Sequence, residues 1–286
     1  MAVIEKNLSM CKKIFFLIIF LSLLVSCSTS KKVILNESKY FTDSIYSNSL
    51  SEYRKHNIYL PKGFNSEKHY PIVYATDGNE IKGENFIKKP LDSLINNKII
   101  KPIIYIESHS NKKVADSGTF GNGKKYYLLY RNFEYVENQT NDAILAKRFD
   151  NHMNYFKNEM ITHIEKQFNQ KNNKENRYFR GVSNGADFGL SLLNKYPDLI
   201  GTYLCFSAVG SNSSKTWEQD IRYPNLYMIY GIEEGEWVSK ENEYMKKVYA
   251  ESNSFAHINS FVGGHEYRIW NTELIKLLTK LFSTNK

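Results

Sequence analysis

The hydrophobic and polar positions along the chain follow two alternating periods. Tyr70–Thr76 and Pro102–Ile106 are compact runs of β-branched and aromatic residues, which predict buried strands. Glu52–Leu60 alternates loosely and stops at Pro61-Lys62-Gly63, a strand closed by a turn. Shorter strand signals lie at Arg177–Phe179, Gly201–Phe206, Leu226–Tyr230 and His257–Val262. Between them the spacing changes to three and four. Phe86–Ile99 carries Ile87, Leu91, Leu94 and Ile95, with Pro90 in its first turn. Ala143–Phe168 carries a single stripe of Leu145, Phe149, Met153, Phe156, Met160, Ile164 and Phe168, which predicts one long amphipathic helix. Further helices are predicted over Asp187–Tyr196, over Glu236–Ser252 and at the C-terminus, where Leu274, Leu277, Leu278 and Leu281 share a side. Residues 108–141 and 207–222 follow neither period. Strands alternating with helices imply an α/β fold, a mostly parallel sheet covered on both faces.

The N-terminus reads differently. Lys12-Lys13, the apolar run Ile14–Val25 and the small residues before Cys27 make a secretory signal over 1–26, short for a membrane span. Leu24-Val25-Ser26-Cys27 is similar to the bacterial lipobox, which predicts lipidation of Cys27 after cleavage. The expected location is the cell envelope, on a bacterial membrane (the outer one) facing the periplasm or the surface. Of three cysteines, Cys11 lies in the signal, leaving Cys205 and the lipid-bearing Cys27, so no internal disulfide is expected. Residues 27–50, rich in Ser, Lys and Asn, read as a lipidated cysteine and flexible tether. A single domain is expected over 51–286, long enough to build its own core. The formal charge of +8 invites a nucleic-acid reading, but the lysines are dispersed among acids with no basic run. No nucleic-acid partner is expected. The charge favours anionic ligands, and Lys124, Lys125 and Arg131 are candidates to meet one, with solvated surface lysines as the simpler account.

Candidate chemistry centres on Gly181-Val182-Ser183-Asn184-Gly185. Alone, G-x-S-x-G arises by chance in about one serine-rich chain in ten at ordinary glycine usage. Here it stands between a strand signal and a helix signal, the context of the nucleophile elbow of α/β-hydrolases. A serine hydroxyl needs a base oriented by an acid, in the order Ser, acid, His for this fold. Only His257 and His265 follow the elbow. His257 opens a strand; His265 sits just past one in Val262-Gly263-Gly264-His265, at the edge where open α/β sheets bind ligands. The acid belongs after Leu226–Tyr230, where Glu233, Glu234 and Glu236 compete; Glu234 is favoured and Glu233 is next. Neither H-E-x-x-H nor a Cys/His cluster occurs, so no metal and no cofactor is expected.

Taken together, Tyr59-Leu60-Pro61, Tyr70–Tyr74, Asp77-Gly78, the Arg131/Glu134-Tyr135 segment, Gly181–Gly185 and Gly263–Trp270 resemble the esterase family of enterochelin-esterase-like, feruloyl-esterase-like and esterase-D-like enzymes. The resemblance runs from about residue 53 to 282. It implies an α/β-hydrolase fold and a serine carboxylesterase. Its acid commonly lies three residues after the glycine ending the penultimate strand, which is Glu234, although that acid is often Asp. It further implies an oxyanion hole from the backbone N–H of Asn184 and an N–H at Gly78 or Asn79. The substrates it implies are small-molecule or polysaccharide-linked esters: siderophore lactones, or feruloyl and acetyl esters. Acyl transfer on the same triad and an inactive envelope ligand-binding lipoprotein are the competing readings. For the anchor, mass spectrometry of membrane-extracted protein should find a mature N-terminus at lipid-modified Cys27; a free thiol there would overturn it.

Overall fold

The computed structural model describes residues 32–284 apart from 80–82, 138–139, 172, 211–215 and 219. The expected signal 1–26 and Cys27 lie outside the described residues. The chain divides into two units, residues 1–33 and 34–286. The second holds the central sheet and its helices.

In chain order, β1 (Lys39–Ser47), β2 (Glu52–Leu60) and β3 (Ile72–Ala75) precede a π-helical turn and α1 (Lys89–Asn96). Then come β4 (Ile104–Ser108), the hairpin β5 (Val114–Thr119) and β6 (Lys125–Leu129), and the helices α2 (Tyr130–Tyr135), α3 (Ala143–Ala146), α4 (Arg148–Asn154) and α5 (Ile161–Gln167). The second half alternates strictly: β7 (Arg177–Val182), α6 (Asn184–Lys195), β8 (Thr202–Phe206), β9 (Asn225–Gly231), α7 (Glu236–Glu251), β10 (Ala256–Phe261) and α8 (Tyr267–Phe282). Eight strands form one sheet in the order β1-β2-β4-β3-β7-β8-β9-β10. β1 and β2 are antiparallel to their neighbours, and all later pairings are parallel.

Period-2 alternation sorts the strand residues between two cores. Tyr74, Ile104, Ile106, Phe179, Tyr203 and Cys205 face one core, with Phe156, Met160, Phe188 and Met245 from the helices. Val73, Tyr105, Val182, Leu204 and Phe206 face the other, with Leu91, Ile95, Trp270, Leu274 and Phe282. Each fully buried side chain of this kind contributes about 1.5–3 kcal/mol relative to exposure. The parallel strands thus run between two helical layers, and their C-terminal ends share one edge of the sheet.

Three expectations change. Residues 34–50, expected in the flexible tether, enter the domain: β1 pairs with β2 from Lys39↔Leu60 to Ser47↔Glu52. An edge strand has one solvated side, so its polar composition resembles that of a linker. Residues 108–141 are not irregular throughout, since they hold the β5–β6 hairpin and α2. The hairpin is exposed along most of its length, so it has no apolar period to reveal it. The single helix expected over 143–168 is broken after Ala146 and widens to π geometry over Tyr155–Met160. Its apolar stripe is buried as expected, and the wider turn also turns Tyr155 inward beside Phe156.

One polar cluster crosses this core. The Glu134 carboxylate, fully buried on α2, accepts from Arg54 of β2 at 2.6 and 3.0 Å and from Arg148 of α4 at 2.7 and 3.0 Å. Glu52 accepts from the same two guanidiniums at 2.8 and 2.6 Å. Removing one member leaves buried charge unmatched, which is the costly way to break such a pair. Glu134→Ala should therefore lower unfolding free energy by about 3–5 kcal/mol in urea titration. A loss below about 1 kcal/mol would mean that the cluster is not stabilising the junction of β2, α2 and α4.

Candidate active site

Ser183 stands between β7 and α6 with φ 54° and ψ −129°, a conformation that non-glycine residues avoid. Its neighbours explain how the turn is tolerated. A Cβ on Gly181 would lie 2.3 Å from the Gly185 carbonyl oxygen, and one on Gly185 would lie 2.3 Å from Thr76 Oγ1. Both glycines of G-x-S-x-G are thus required by contact. The Ser183 carbonyl accepts from the N–H groups of Ala186 (2.8 Å) and Asp187 (3.1 Å), starting the helix. The N–H of Asn184 has no acceptor among the described residues and points out of the helix N-terminus, where the dipole favours negative charge.

The loops after β9 and β10 meet beside it. Gly231 leaves no room for a Cβ, which would strike the Gly263 carbonyl oxygen at 2.2 Å, and that oxygen accepts from the N–H of Glu233. Gly263 has φ 140°, which suits glycine. In this frame Glu234 turns inward. Its Oε1 accepts from Ser207 Oγ (2.5 Å) and from the N–H of Gly231 (3.3 Å), while its buried Oε2 lies 3.6 Å from His265 Nδ1. The His265 ring packs edge-on against Trp270 at 4.5 Å, and Trp270 Nε1 donates to Ser207 Oγ at 2.8 Å. Ser207 and Trp270 therefore hold the carboxylate and the imidazole in one network. Sequence reasoning did not single out Ser207; its only signal was its place just after a parallel strand.

The structure brings Ser183, Glu234 and His265 to one edge of the sheet, and it separates the competitors. Glu233 is exposed and makes no contact with His265; Glu236 is exposed and pairs with Lys240 at 3.0 Å. His257 lies near the start of β10, at the other end of the strand, bonded to Asn259. Ser183 and His265 line two cavities in common. One, of about 270 Å³, is completed by Arg131, Tyr267 and Trp270; the other, of about 430 Å³, by Val209, Trp237 and Val238. No hydrogen bond joins Ser183 Oγ to His265. A larger cavity of about 650 Å³ opens beside Asn79, among Lys55, His109 and Lys113. It contains none of the three residues.

The loop after β3 completes the edge. The Gly78 N–H is donated to the Ser108 carbonyl at 3.0 Å, so of the two expected donors Gly78 is excluded. The Asn79 N–H has no acceptor among the described residues. The Asn79 side chain is held by three hydrogen bonds with Ser110 at 2.9–3.0 Å. Asp77, at φ 62°, receives a bidentate pair from Arg131 at 2.6 and 2.9 Å. Arg131 thereby holds this loop while also lining the smaller cavity at Ser183. Lys124 and Lys125 stand on the exposed hairpin and line neither cavity.

A mostly parallel eight-stranded sheet with a serine at a strained strand-to-helix turn is the α/β-hydrolase architecture. The model of the family described as "Putative esterase" matches residues 47–253, and the chain belongs to that family: it is a carboxylic ester hydrolase. Among solved structures, a ferulic acid esterase is similar at TM-score 0.68 and 17% identity, over 86% of this chain and 98% of that one. An S-formylglutathione hydrolase from Agrobacterium tumefaciens is similar at TM-score 0.63 and 11% identity, over 88% and 99%. The enterobactin esterase FES from Shigella flexneri is similar at TM-score 0.61 and 14% identity, over 85% of this chain and 59% of that one. At these identities the likeness is one of fold. A search of curated protein sequences returns no match.

The contact of Gly185 with Thr76 has a direct test. Gly185→Ala should lower kcat at least about tenfold and cost about 1–3 kcal/mol of stability, because the added methyl would strike the buried side chains of Thr76 and Asp77, which have little room to move. Gly121→Ala, which meets open space on the hairpin, should leave activity and Tm near wild type. Equal behaviour of the two variants would refute the steric account.

Proposed function

We propose that this esterase works through Ser183 as nucleophile, His265 as general base and acid, and Glu234 as the carboxylate that orients the imidazole. The observation that carries this reading is the division of labour on Glu234. One of its oxygens is occupied by Ser207 and Gly231, and the other is left for His265 Nδ1 at 3.6 Å. A carboxylate there selects the tautomer with its proton on Nδ1 and leaves the Nε2 lone pair for the Ser183 hydroxyl. On substrate binding the Ser183–His265 gap closes. Ser183 Oγ attacks the ester carbonyl as its proton passes to Nε2. The negative charge on the tetrahedral oxygen is met by the N–H groups of Asn184 and Asn79, each such donor supplying about 10²–10³ in rate. His265 then returns the proton to the leaving alcohol, and water, deprotonated by the same imidazole, releases the acid.

The walls favour one substrate class. Arg131 is paired with Asp77, and the larger of the two cavities at Ser183 sets Val209, Val238 and the exposed ring of Trp237 beside Glu233 and Glu234. We read this as a seat for an aromatic or apolar group on one side of the ester. Two of the similar structures are named for ferulic acid and for enterobactin. Those ester types, with acetyl esters on polysaccharide, form the panel to screen, with products identified by mass so that hydrolysis is distinguished from acyl transfer. Lipid attachment at Cys27 would put the reaction in the cell envelope.

Ser183→Ala should lose about 10⁴–10⁶ in kcat on a short nitrophenyl ester while keeping its Tm. The wild type should be labelled by a fluorophosphonate at Ser183, and the variant should not. Wild-type turnover by Ser183→Ala would sink the mechanism. Absence of labelling in the wild type would favour a ligand-binding role instead.

A further inference from the structure

We propose that Asn57, on β2, is a positioning residue of the oxyanion hole: its side-chain amide aims the backbone N–H of Asn79 at the substrate. The inference rests on the serine-esterase reading above, and its starting point is the geometry of one peptide bond. The carbonyl of Gly78 and the N–H of Asn79 belong to the same planar unit. No cis peptide occurs among the described residues, so the two groups point in opposite directions. Whatever holds the carbonyl therefore sets the direction of the N–H.

Asn57 holds it. Its Nδ2 donates to the Gly78 carbonyl at 2.7 Å, with the side chain buried between β2 and the loop. The amide is itself held in one orientation. Its Oδ1 accepts from Thr42 Oγ1 at 2.8 Å and lies 2.9 Å from His109 Nε2, which donates to it in the Nε2-protonated tautomer, and the Gly78 carbonyl can only accept, so the NH₂ group faces Gly78. The adjoining bonds leave the loop little freedom. The Gly78 N–H is taken by the Ser108 carbonyl, and the Asn79 side chain is fixed to Ser110. A Cβ on Gly78 would lie 2.6 Å from Glu107, so the loop rests directly on β4. Among the described residues the Asn79 N–H is thus left without an acceptor, on a peptide whose other end is clamped from strand β2. That is the preorganisation an oxyanion donor requires, since its value depends on being in place before charge develops. The same side chain is also hydrogen-bonded to the buried Glu107 of β4, so it ties β2 to both the loop and β4.

The test compares Asn57→Asp and Asn57→Ser with wild type. Asp keeps the acceptor but sets an oxygen against the Gly78 carbonyl; Ser is too short to reach it. For variants that stay folded, kcat on a nitrophenyl ester should fall about 10–100-fold with KM within about threefold, somewhat less than loss of a whole donor. The inhibition constant of an aryl trifluoromethyl ketone, whose adduct with Ser183 places an oxyanion in the hole, should weaken by the same factor as kcat/KM. A purely structural role would lower Tm without that correlation. Should both variants fail to fold, Thr42→Val removes one of the two donors that orient the amide and should lower kcat about 3–10-fold, again with matching loss of ketone affinity. Wild-type turnover and ketone binding report on the esterase reading itself. If they hold while folded variants keep wild-type kcat and ketone affinity, the role of Asn57 is overturned and the esterase reading stands.

Discussion

The site depends on a steric constraint: the chain has to reverse at Ser183 while packed against the loop that follows β3. The reversal needs φ 54° at a serine, and it brings Gly185 so close to Thr76 and Asp77 that no side chain fits between. Strain of this kind costs on the order of 1–3 kcal/mol and persists only where the surroundings leave no alternative. Here β7 lies between β3 and β8, its end tied to Phe206 through the Ser183 N–H and to Thr76 through the Arg180 carbonyl. The helix N-terminus carrying Asn184 is therefore held against the loop carrying Asn79. The geometry of the proposed oxyanion hole follows from that packing.

Around this contact, polar groups are held from several separate elements. Asp77 is fixed from α2 by Arg131, Gly78 from β2 by Asn57, and Asn79 from the segment after β4 by Ser110. Glu234 is held from the residue after β8 by Ser207, which Trp270 of α8 holds in turn. α2 is itself anchored by the Glu134 cluster to β2 and α4. Buried polar networks are favourable only when their members find partners. The Glu234 oxygen left over is the one facing His265, and among the described residues the N–H groups of Asn79 and Asn184 find no acceptor.

Much of the fold was legible because its signals are local. β2 falls on Glu52–Leu60 as read, and the parallel strands fall within a residue or two of compact apolar runs, except at β7, which continues to Val182. β1 was missed because an edge strand needs only half its residues apolar. The β5–β6 hairpin was missed because almost nothing covers it. At the site, Ser183 and His265 were legible because glycine spacing around a strand end reports a tight turn. The choice among Glu233, Glu234 and Glu236 was not. It turns on which side chain a three-residue arc directs inward, and that depends on Ser207 and Gly263, far off in sequence.

The sequence alone determined the alternation of strand and helix and the position of the elbow, and it raised the expectations of an export signal and of an acid and a histidine after the serine. Each is written in short-range spacing and composition. Only the tertiary structure decided that the Gly78 N–H is taken by Ser108, that Arg131 serves Asp77, and that Asn57 faces Gly78. It also decided that Ser207 and Trp270 complete the Glu234 site. These are contacts between residues 21 to 63 positions apart, made around the ends of the parallel strands, and no local period encodes which side chains meet there.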